Sequence, residues 1–181
     1  GRDNSVVFAD GYDRGLSRVS AEGGKPEPLT KPDPAREESS HGLPAWLPDG
    51  KAILFTMTRS SYDRRPRVAV LRLDTREHRI LLENAADAKY VPTGHLVFLR
   101  QGALMAVRFD PVRLEVVGQP VALVENVMQA FSLRISLNNG AGQFGVSETG
   151  CLLYAAGGVV PDLKNSLVWV DYKGTEQPVM N

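Results

Sequence analysis

Cysteine, net charge and long apolar runs are what this chain of 181 residues lacks. Its single cysteine, Cys151, excludes an internal disulfide framework and a cysteine-based zinc site, and its apolar surroundings predict a buried, unreactive thiol. Lysine plus arginine and aspartate plus glutamate number 21 each, so no overall charge attracts nucleic acid or an anionic membrane. Any partner must therefore be recognised by a local surface.

No apolar stretch approaches the roughly 18 residues that span a bilayer, so membrane insertion of this segment is not expected. The opening residues, GRDNSVVFAD, have neither the charged nor the apolar region of a secretion signal. Because the chain has no initiating methionine and opens on a strand-like run, we expect that it was cut from a longer protein.

What the sequence does contain is a series of short apolar stretches of strand length. Each is rich in aliphatic and aromatic residues and is bounded by glycine, proline, aspartate or asparagine. Their continuous apolarity indicates burial on both faces, but a parallel sheet would need crossovers of about a dozen residues, usually helical, and we find none. We therefore predict antiparallel strands. The stretches are residues 5–9, 51–57, 67–73, 95–100, 103–109, 151–156 and 166–171.

A repeat organises these strands. The segments LPDGKAILFT, VPTGHLVFL and VSETGCLLYA each place a polar turn ending in glycine before an apolar strand with an aromatic residue. Equivalent aromatic residues, Phe8, Phe55, Phe98 and Tyr154, recur at intervals of 47, 43 and 56 residues. A four-stranded propeller blade occupies about forty to fifty residues. We predict an all-β fold, a single partial β-propeller of about four antiparallel blades at 1–30, 41–82, 87–125 and 143–181.

The best-formed repeat predicts an inner strand at 41–46, a second at 52–57, a third at 67–74 and an outer one at 77–82. Its outer strand alternates charged with aliphatic residues, as a half-exposed edge does. The first repeat lacks its inner strand, which predicts an incomplete first blade. Residues 126–137 alternate in part like a strand, and both a strand and an insertion remain open there.

Several of these segments carry a resemblance. The TolB-like, Pro-Asp-Gly-type (WD-like) propeller repeats of bacteria are resembled by SRVSAEGGKPEPLT, HGLPAWLPDGKAILFT, VLRLDTREHRILLENAADAKYVPTGHLVFLRQGALMAVRFDPVRLEVVGQPVALVENV, FGVSETGCLLYA and LVWVDYKGTE. The likeness covers nearly the whole chain and is closest to the propeller regions that follow bacterial Ser/Thr protein kinase domains. It implies a propeller that binds or senses without a shared reaction, in a periplasmic or extracytoplasmic location. Only the second repeat keeps the full Pro48, Asp49, Gly50 turn, and no kinase motif is present.

The three histidines are the candidates for metal ligands. The predicted strands place His41 in an inner strand at one end of the propeller, His95 at a turn at the other end, and His78 on an outer hairpin. Ligands must lie within about 2 Å of an ion, so these histidines are not expected to share one. We predict no metal and no cofactor, with His41 in a structural hydrogen bond.

Catalysis by this segment is not expected either. No GxSxG or HExxH motif is present, and no serine has a histidine in a triad-like context. Turn chemistry between strands explains Asp49 and Glu148. Core packing, rather than stacking on a ligand, is predicted for Trp46 and Trp169.

Recognition is expected at the loops between second and third strands and between blades. They read DGYDRG, KPDPAREESSHG and TRSSYDRRP at 10–15, 31–42 and 58–66. Loops on a rigid scaffold often carry recognition, and tyrosine with arginine is a contact-rich mixture, although mere solvation of these loops is an equal reading. The residues expected to meet on this loop face are Tyr12, Asp13, Arg14, Arg36, Glu37, His41, Arg59, Tyr62, Arg64 and Arg65.

The sequence therefore predicts a non-catalytic propeller module that binds a protein or a small ligand through its loop face. Two alternatives stay open: the accessory propeller of a larger peptidase or kinase, and a propeller lyase or hydrolase acting on carbohydrate. An incomplete ring exposes the apolar faces of its terminal blades. We expect two copies to form a homodimer with a ring of about seven or eight blades, unless a longer chain supplies the remainder.

Overall fold

A computed structural model describes residues 1–11, 13–60, 65–129, 140–147, 149–159 and 168–178. These ranges contain fifteen strands and one short 3-10 helix, Pro34–Arg36. No helix within them is long and apolar enough to cross a membrane. In chain order the strands are β1 Ser5–Ala9, β2 Leu16–Ser20, β3 Glu27–Pro28, β4 Ser40–Trp46, β5 Ala52–Thr58, β6 Arg67–Arg72, β7 His78–Glu83, β8 Ala86–Val91, β9 His95–Arg100, β10 Ala103–Asp110, β11 Glu115–Val124, β12 Phe144–Val146, β13 Leu152–Tyr154, β14 Val168–Val170 and β15 Glu176–Pro178.

Within each sheet, strands that are consecutive in sequence pair antiparallel, so the sheets are simple meanders. Blade 1 is the three-stranded sheet β1-β2-β3, and blades 2 and 3 are the four-stranded sheets β4-β5-β6-β7 and β8-β9-β10-β11. The remaining strand pairs, β12-β13 and β14-β15, are separate two-stranded sheets, and we refer to them together as blade 4 because both fall within the predicted bounds 143–181. The predicted four-strand order of the second repeat is confirmed, and the described part of blade 1 has three strands. Most of the 126–137 stretch lies outside the described residues.

The repeated glycine turns have one geometry. The N–H groups of Gly50, Gly94 and Gly150 each donate a 3.0 Å hydrogen bond to the carbonyl three residues earlier. The three glycines have φ values of 71°, 80° and 85°, a left-handed conformation that residues with a Cβ adopt at a cost. The turn signal in the sequence thus marks the same link between first and second strands in blades 2, 3 and 4.

The apolar core lies between the blades. In β5, Ile53 and Phe55 face blade 1 and pack with Leu16, whereas Leu54, on the opposite face, packs with Phe98 of blade 3. A third buried cluster joins blade 3 to blade 4 through residues such as Leu99, Leu104 and Phe144. Each described pair of consecutive blades therefore shares one apolar interface. Face-to-face packing of successive antiparallel meanders makes this chain a partial β-propeller of about four blades.

Two expectations about side-chain burial are wrong, and both concern blade 4. Cys151 is exposed, because it lies in the turn before the three-residue strand β13 and not inside a longer strand. Trp169 is 71% exposed, whereas Trp46 is half-buried against the cluster between blades 1 and 2. Among the described residues, no following blade covers the strands of blade 4, so apolar residues there remain at the surface.

Candidate functional site

The connection from blade 1 to blade 2 carries a carboxylate into the interior. Its 3-10 helix, Pro34–Arg36, is capped by Asp33, and Glu37 ends it in a left-handed conformation with φ 56°. The next side chain, Glu38, is only 1% exposed. The backbone N–H of Asp33 donates a 3.1 Å hydrogen bond to Glu38 Oε2, so the local turn fixes the position of the carboxylate.

Two imidazoles converge on Glu38 from different strands. The Nε2 atom of His41, near the start of β4, lies 3.2 Å from Oε2. The Nε2 atom of His78, the first residue of β7, lies 3.2 Å from Oε1. The His41 side chain is fully buried and that of His78 is 13% exposed. We call these three residues the His-Glu-His cluster; their ligand-type atoms all lie within 4.8 Å of one another.

Strand register explains why the two histidines meet. His41 is opposite Met57 and His78 is opposite Leu71, so both point to the face of blade 2 that also carries Phe55. The ring of Phe55 lies 4.9 Å from that of His41 and 5.7 Å from that of His78, between centroids. Ala69, opposite Phe55, is small enough to leave this face open for the rings.

The expectation that these histidines lie too far apart to share an ion is therefore wrong for His41 and His78. They belong to inner and outer strands, as predicted, but their ring centroids are only 5.5 Å apart. The long side chains extend toward each other over one face, and the connection that carries Glu38 crosses above it. His95 lies elsewhere, at the start of β9, where its Nδ1 is 3.1 Å from Thr93 Oγ1.

Burial and hydrogen bonding set the charges of the cluster. Burial lowers the pKa of His41 to about 4, although the charge of Glu38 acts in the opposite direction. For Glu38, burial would raise the pKa, but hydrogen bonds from His78 and from the Asp33 backbone outweigh it and leave the pKa below its usual value. At neutral pH the cluster therefore combines an ionised carboxylate with a neutral His41.

The first two loops of the predicted loop face are joined by hydrogen bonds. The hydroxyl of Ser39 donates to Asp13 Oδ1 at 2.9 Å, and the His41 N–H donates to the Arg14 carbonyl at 2.9 Å. The Arg14 side chain itself remains 65% exposed beside Asp10. These contacts anchor the 10–15 loop to the start of β4 and leave the arginine available at the surface.

Glu37 joins the second and third loops. Its Oε2 lies 3.4 Å from Arg59 Nε, and its carbonyl accepts a 2.7 Å hydrogen bond from the buried Arg67. The structure thus brings Asp13, Arg14, Glu37 and Arg59 to one end of the propeller. Arg65 is also exposed, while Tyr12, Tyr62 and Arg64 lie outside the described residues.

Two of the predicted binding residues lie at the His-Glu-His cluster: His41 is a member of it and Arg36 is a neighbour. His41 is buried beneath the loop face, and Arg36 extends toward Glu38, with its Nε 3.7 Å from Oε1. Sequence reasoning did not select Glu38 or His78. The Glu-x-x-His spacing of residues 38 and 41 was a visible signal, but His78 is distant in sequence and only the sheet register brings it near.

Two cavities flank these features. One, of about 490 Å³, opens beside the cluster and is lined by His78 and by Arg36, Arg72 and Arg79, among others. Another, of about 890 Å³, lies at the opposite end, where residues that follow β4, β8 and β12 meet Trp46 and Tyr90. Of the His-Glu-His cluster, His78 lines the first cavity, whereas Glu38 and His41 are buried and do not.

Comparison with known proteins identifies related folds only. No protein-family model and no curated protein matches the sequence. A puromycin-hydrolyzing peptidase from Mycobacterium tuberculosis matches 65% of this chain at 20% identity, with a TM-score of 0.50. The β-propeller domain of the Trilobed protease from Pyrococcus furiosus matches 66% at 14% identity (TM-score 0.44), and TolB from Acinetobacter baumannii matches 97% at 15% identity (TM-score 0.39).

The chain spans 22%, 39% and 52% of these three structures, respectively. At 20% identity, the likeness to the peptidase structure concerns the fold and not the activity. The packing of consecutive blades within this chain agrees with that shared fold.

Proposed function

We propose that this chain is a non-catalytic propeller module that binds a protein or a small ligand through its loop face. The observation that carries the proposal is that three separate loops are held together by specific contacts, through Asp13, Glu37 and Arg59, at one end of a packed scaffold. Arg14 and Arg59 keep exposed guanidinium surface at that end. Exposed arginines on an anchored loop cluster suit polar recognition with little reorganisation.

A displayed library of random peptides, panned on the purified chain, tests this proposal. We expect enriched peptides to bind the wild type and the Lys51→Ser control, whose substitution lies in the turn at the opposite end of blade 2. The double variant Arg14→Ser/Arg59→Ser should bind them at least about tenfold more weakly. It should still fold, because exposed ion pairs contribute little to stability. Equal binding by the double variant would refute the loop face as the binding surface.

A second candidate is the accessory propeller of a larger enzyme. It is supported by the likeness of 65% of this chain to a part of the peptidase structure, and a kinase parent follows from the resemblance of the repeats to kinase-associated propellers. Detection of the native protein with an antibody against this chain, followed by mass spectrometry, separates the two candidates. A polypeptide that also contains peptidase or kinase sequences supports the accessory role, and an intact mass near 19.8 kDa contradicts it.

We further propose that two copies associate to complete a ring. Apolar side chains of blade 4 are uncovered among the described residues, with Leu153 77%, Trp169 71% and Val170 58% exposed. Exposed apolar surface on a terminal blade favours pairing with another blade. Sedimentation velocity at micromolar concentration should show a dimer, and a stable monomer would overturn this proposal.

A further inference from the structure

The His-Glu-His cluster has an arrangement that simple hydrogen bonding does not require. Two Nε2 atoms, from strands on opposite edges of blade 2, point at one buried carboxylate. We propose that Glu38, His41 and His78 form a binding site for a divalent transition metal ion, with zinc as the best match. This site is independent of the loop-face proposal, because it rests on buried groups and needs no partner molecule.

The ligand set has the chemistry that zinc prefers. Two imidazole nitrogens and one carboxylate oxygen form a set found where zinc keeps a fourth position open. Nitrogens about 2.0 Å from a tetrahedral ion lie roughly 3.3 Å apart. Here the three ligand-type atoms lie within 4.8 Å of one another, so binding requires a contraction of at most about 1.5 Å. His78, with 13% of its side chain exposed, has room to make this movement.

Neighbouring groups support His41 and Glu38 as ligands. Thr30 Oγ1 lies 2.8 Å from His41 Nδ1, and a ligating histidine commonly donates its second ring N–H to such an oxygen. Without metal, the proton of the neutral imidazole can sit on Nε2 and be donated to Glu38; with metal, it moves to Nδ1 and is donated to Thr30.

Groups around the cluster affect how an ion enters the site and how strongly it binds. The cavity of about 490 Å³ is lined by His78, the most exposed member of the cluster, so we expect an ion to enter past this residue. Cationic groups oppose the ion, because Arg36 Nε lies 3.7 Å from Glu38 Oε1 and the buried Arg67 acts on His41. The fourth ligand should therefore be an anion, such as hydroxide or a carboxylate, and removal of the Arg36 charge should strengthen metal binding.

Metal titration of the full chain tests the site. Protein stripped with a chelator is titrated with zinc, bound metal is counted by mass spectrometry after gel filtration, and cobalt is substituted to record ligand-field absorption. We expect one ion per chain. His78→Gln and Glu38→Gln should each weaken binding by more than about a hundredfold, beyond the effect of losing an outer-shell partner. His95→Gln, at a histidine of blade 3 whose Nδ1 lies 3.1 Å from Thr93 Oγ1, serves as the matched control and should bind as the wild type does.

The outcomes are decisive in both directions. Failure of the wild type to bind zinc or cobalt at micromolar concentrations overturns the proposal, as does undiminished binding by His78→Gln. If Glu38→Gln fails to fold, as judged by circular dichroism, the comparison of His78→Gln with Arg36→Gln decides, because both positions are partly exposed. Stronger binding by Arg36→Gln together with weaker binding by His78→Gln supports the site, and any other pairing refutes it.

Discussion

The central and terminal blades of this propeller differ in burial although their sequences are equally apolar. Every residue of β5 in blade 2 is buried. In blade 4, Leu153 and Trp169 lie in strands of similar composition but are 77% and 71% exposed. Strand β5 has a blade on each side, whereas among the described strands β12-β13 packs on blade 3 alone and β14 forms a sheet only with β15. An apolar strand is therefore fully buried only where neighbouring blades pack on both of its faces.

The largest difference between the two regions should appear on truncation of an aromatic residue. Phe98→Ala removes a fully buried ring between blades 2 and 3 and should lower the free energy of unfolding by about 3–5 kcal/mol. The equivalent change in blade 4, Tyr154→Ala, affects a side chain that is 43% exposed and should cost less than about 1 kcal/mol. Urea denaturation of both variants checks this prediction, and equal losses would contradict the contrast between the blades.

A smaller effect is expected inside the interface of blades 1 and 2. Glu38→Ala removes the acceptor shared by His41, His78 and the Asp33 N–H, and leaves buried donors without it. We expect a loss of about 1–3 kcal/mol in the free energy of unfolding of the metal-free protein. The control, Glu115→Ala, removes an exposed carboxylate 3.7 Å from Arg79. It should change the free energy of unfolding by less than about 0.5 kcal/mol. A loss for Glu38→Ala no greater than that of the control would show that the cluster contributes nothing to stability.

The same interface should make the metal-free protein sensitive to acid. His41 protonates near pH 6.5 when unfolded but only near pH 4 when folded, because burial disfavours its charged form and the charges of His78 and Arg67 add to this. Below about pH 6.5 the unfolded state therefore binds more protons, and the free energy of unfolding falls as the pH is lowered toward 4. The pKa of Glu38 is also lowered in the folded protein, so the free energy of unfolding falls further once the pH drops below the usual pKa of a glutamate.

Denaturation curves recorded at several pH values in the presence of a chelator measure this loss. The variant His41→Gln is less stable at neutral pH but lacks the titrating ring, so its stability should depend less on pH in this window. A wild-type curve that stays flat between about pH 6.5 and 4 would show that His41 is not shielded from protons as described.

The smallest effect on stability is expected at the surface of blade 4. The variant Leu153→Ser/Trp169→Ser should change the free energy of unfolding by less than about 0.5 kcal/mol per site, since both side chains are already exposed. If blade 4 pairs with a second copy, the same variant should shift the sedimentation coefficient toward the monomer. Val112→Ser, at a residue 87% exposed in the turn after β10, is the control and should leave association unchanged.

Much of the fold could be predicted from local sequence, whereas little of the buried site could. The glycine turns at Gly50, Gly94 and Gly150 set the spacing of the blades, because a left-handed turn residue followed by an apolar strand is a local signal. The loop face could also be predicted from the sequence, because Asp13 and Glu37 lie in loops that the strand order assigns to one end of the propeller. Trp169 was misjudged because an apolar strand does not reveal whether a neighbouring blade is present, and Cys151 because its apolar stretch begins in the turn before β13.

By itself, the sequence determined most strands, their antiparallel pairing and the four-strand order of the second repeat, because turn residues and short apolar stretches are local signals. Only the tertiary structure decided that Glu38, from an interblade connection, lies between His41 and His78. Residues 38 and 78 are far apart in the chain, and their meeting depends on sheet register and on the small Ala69. Such a contact follows from the packing of one blade against the next, which no short stretch of sequence encodes.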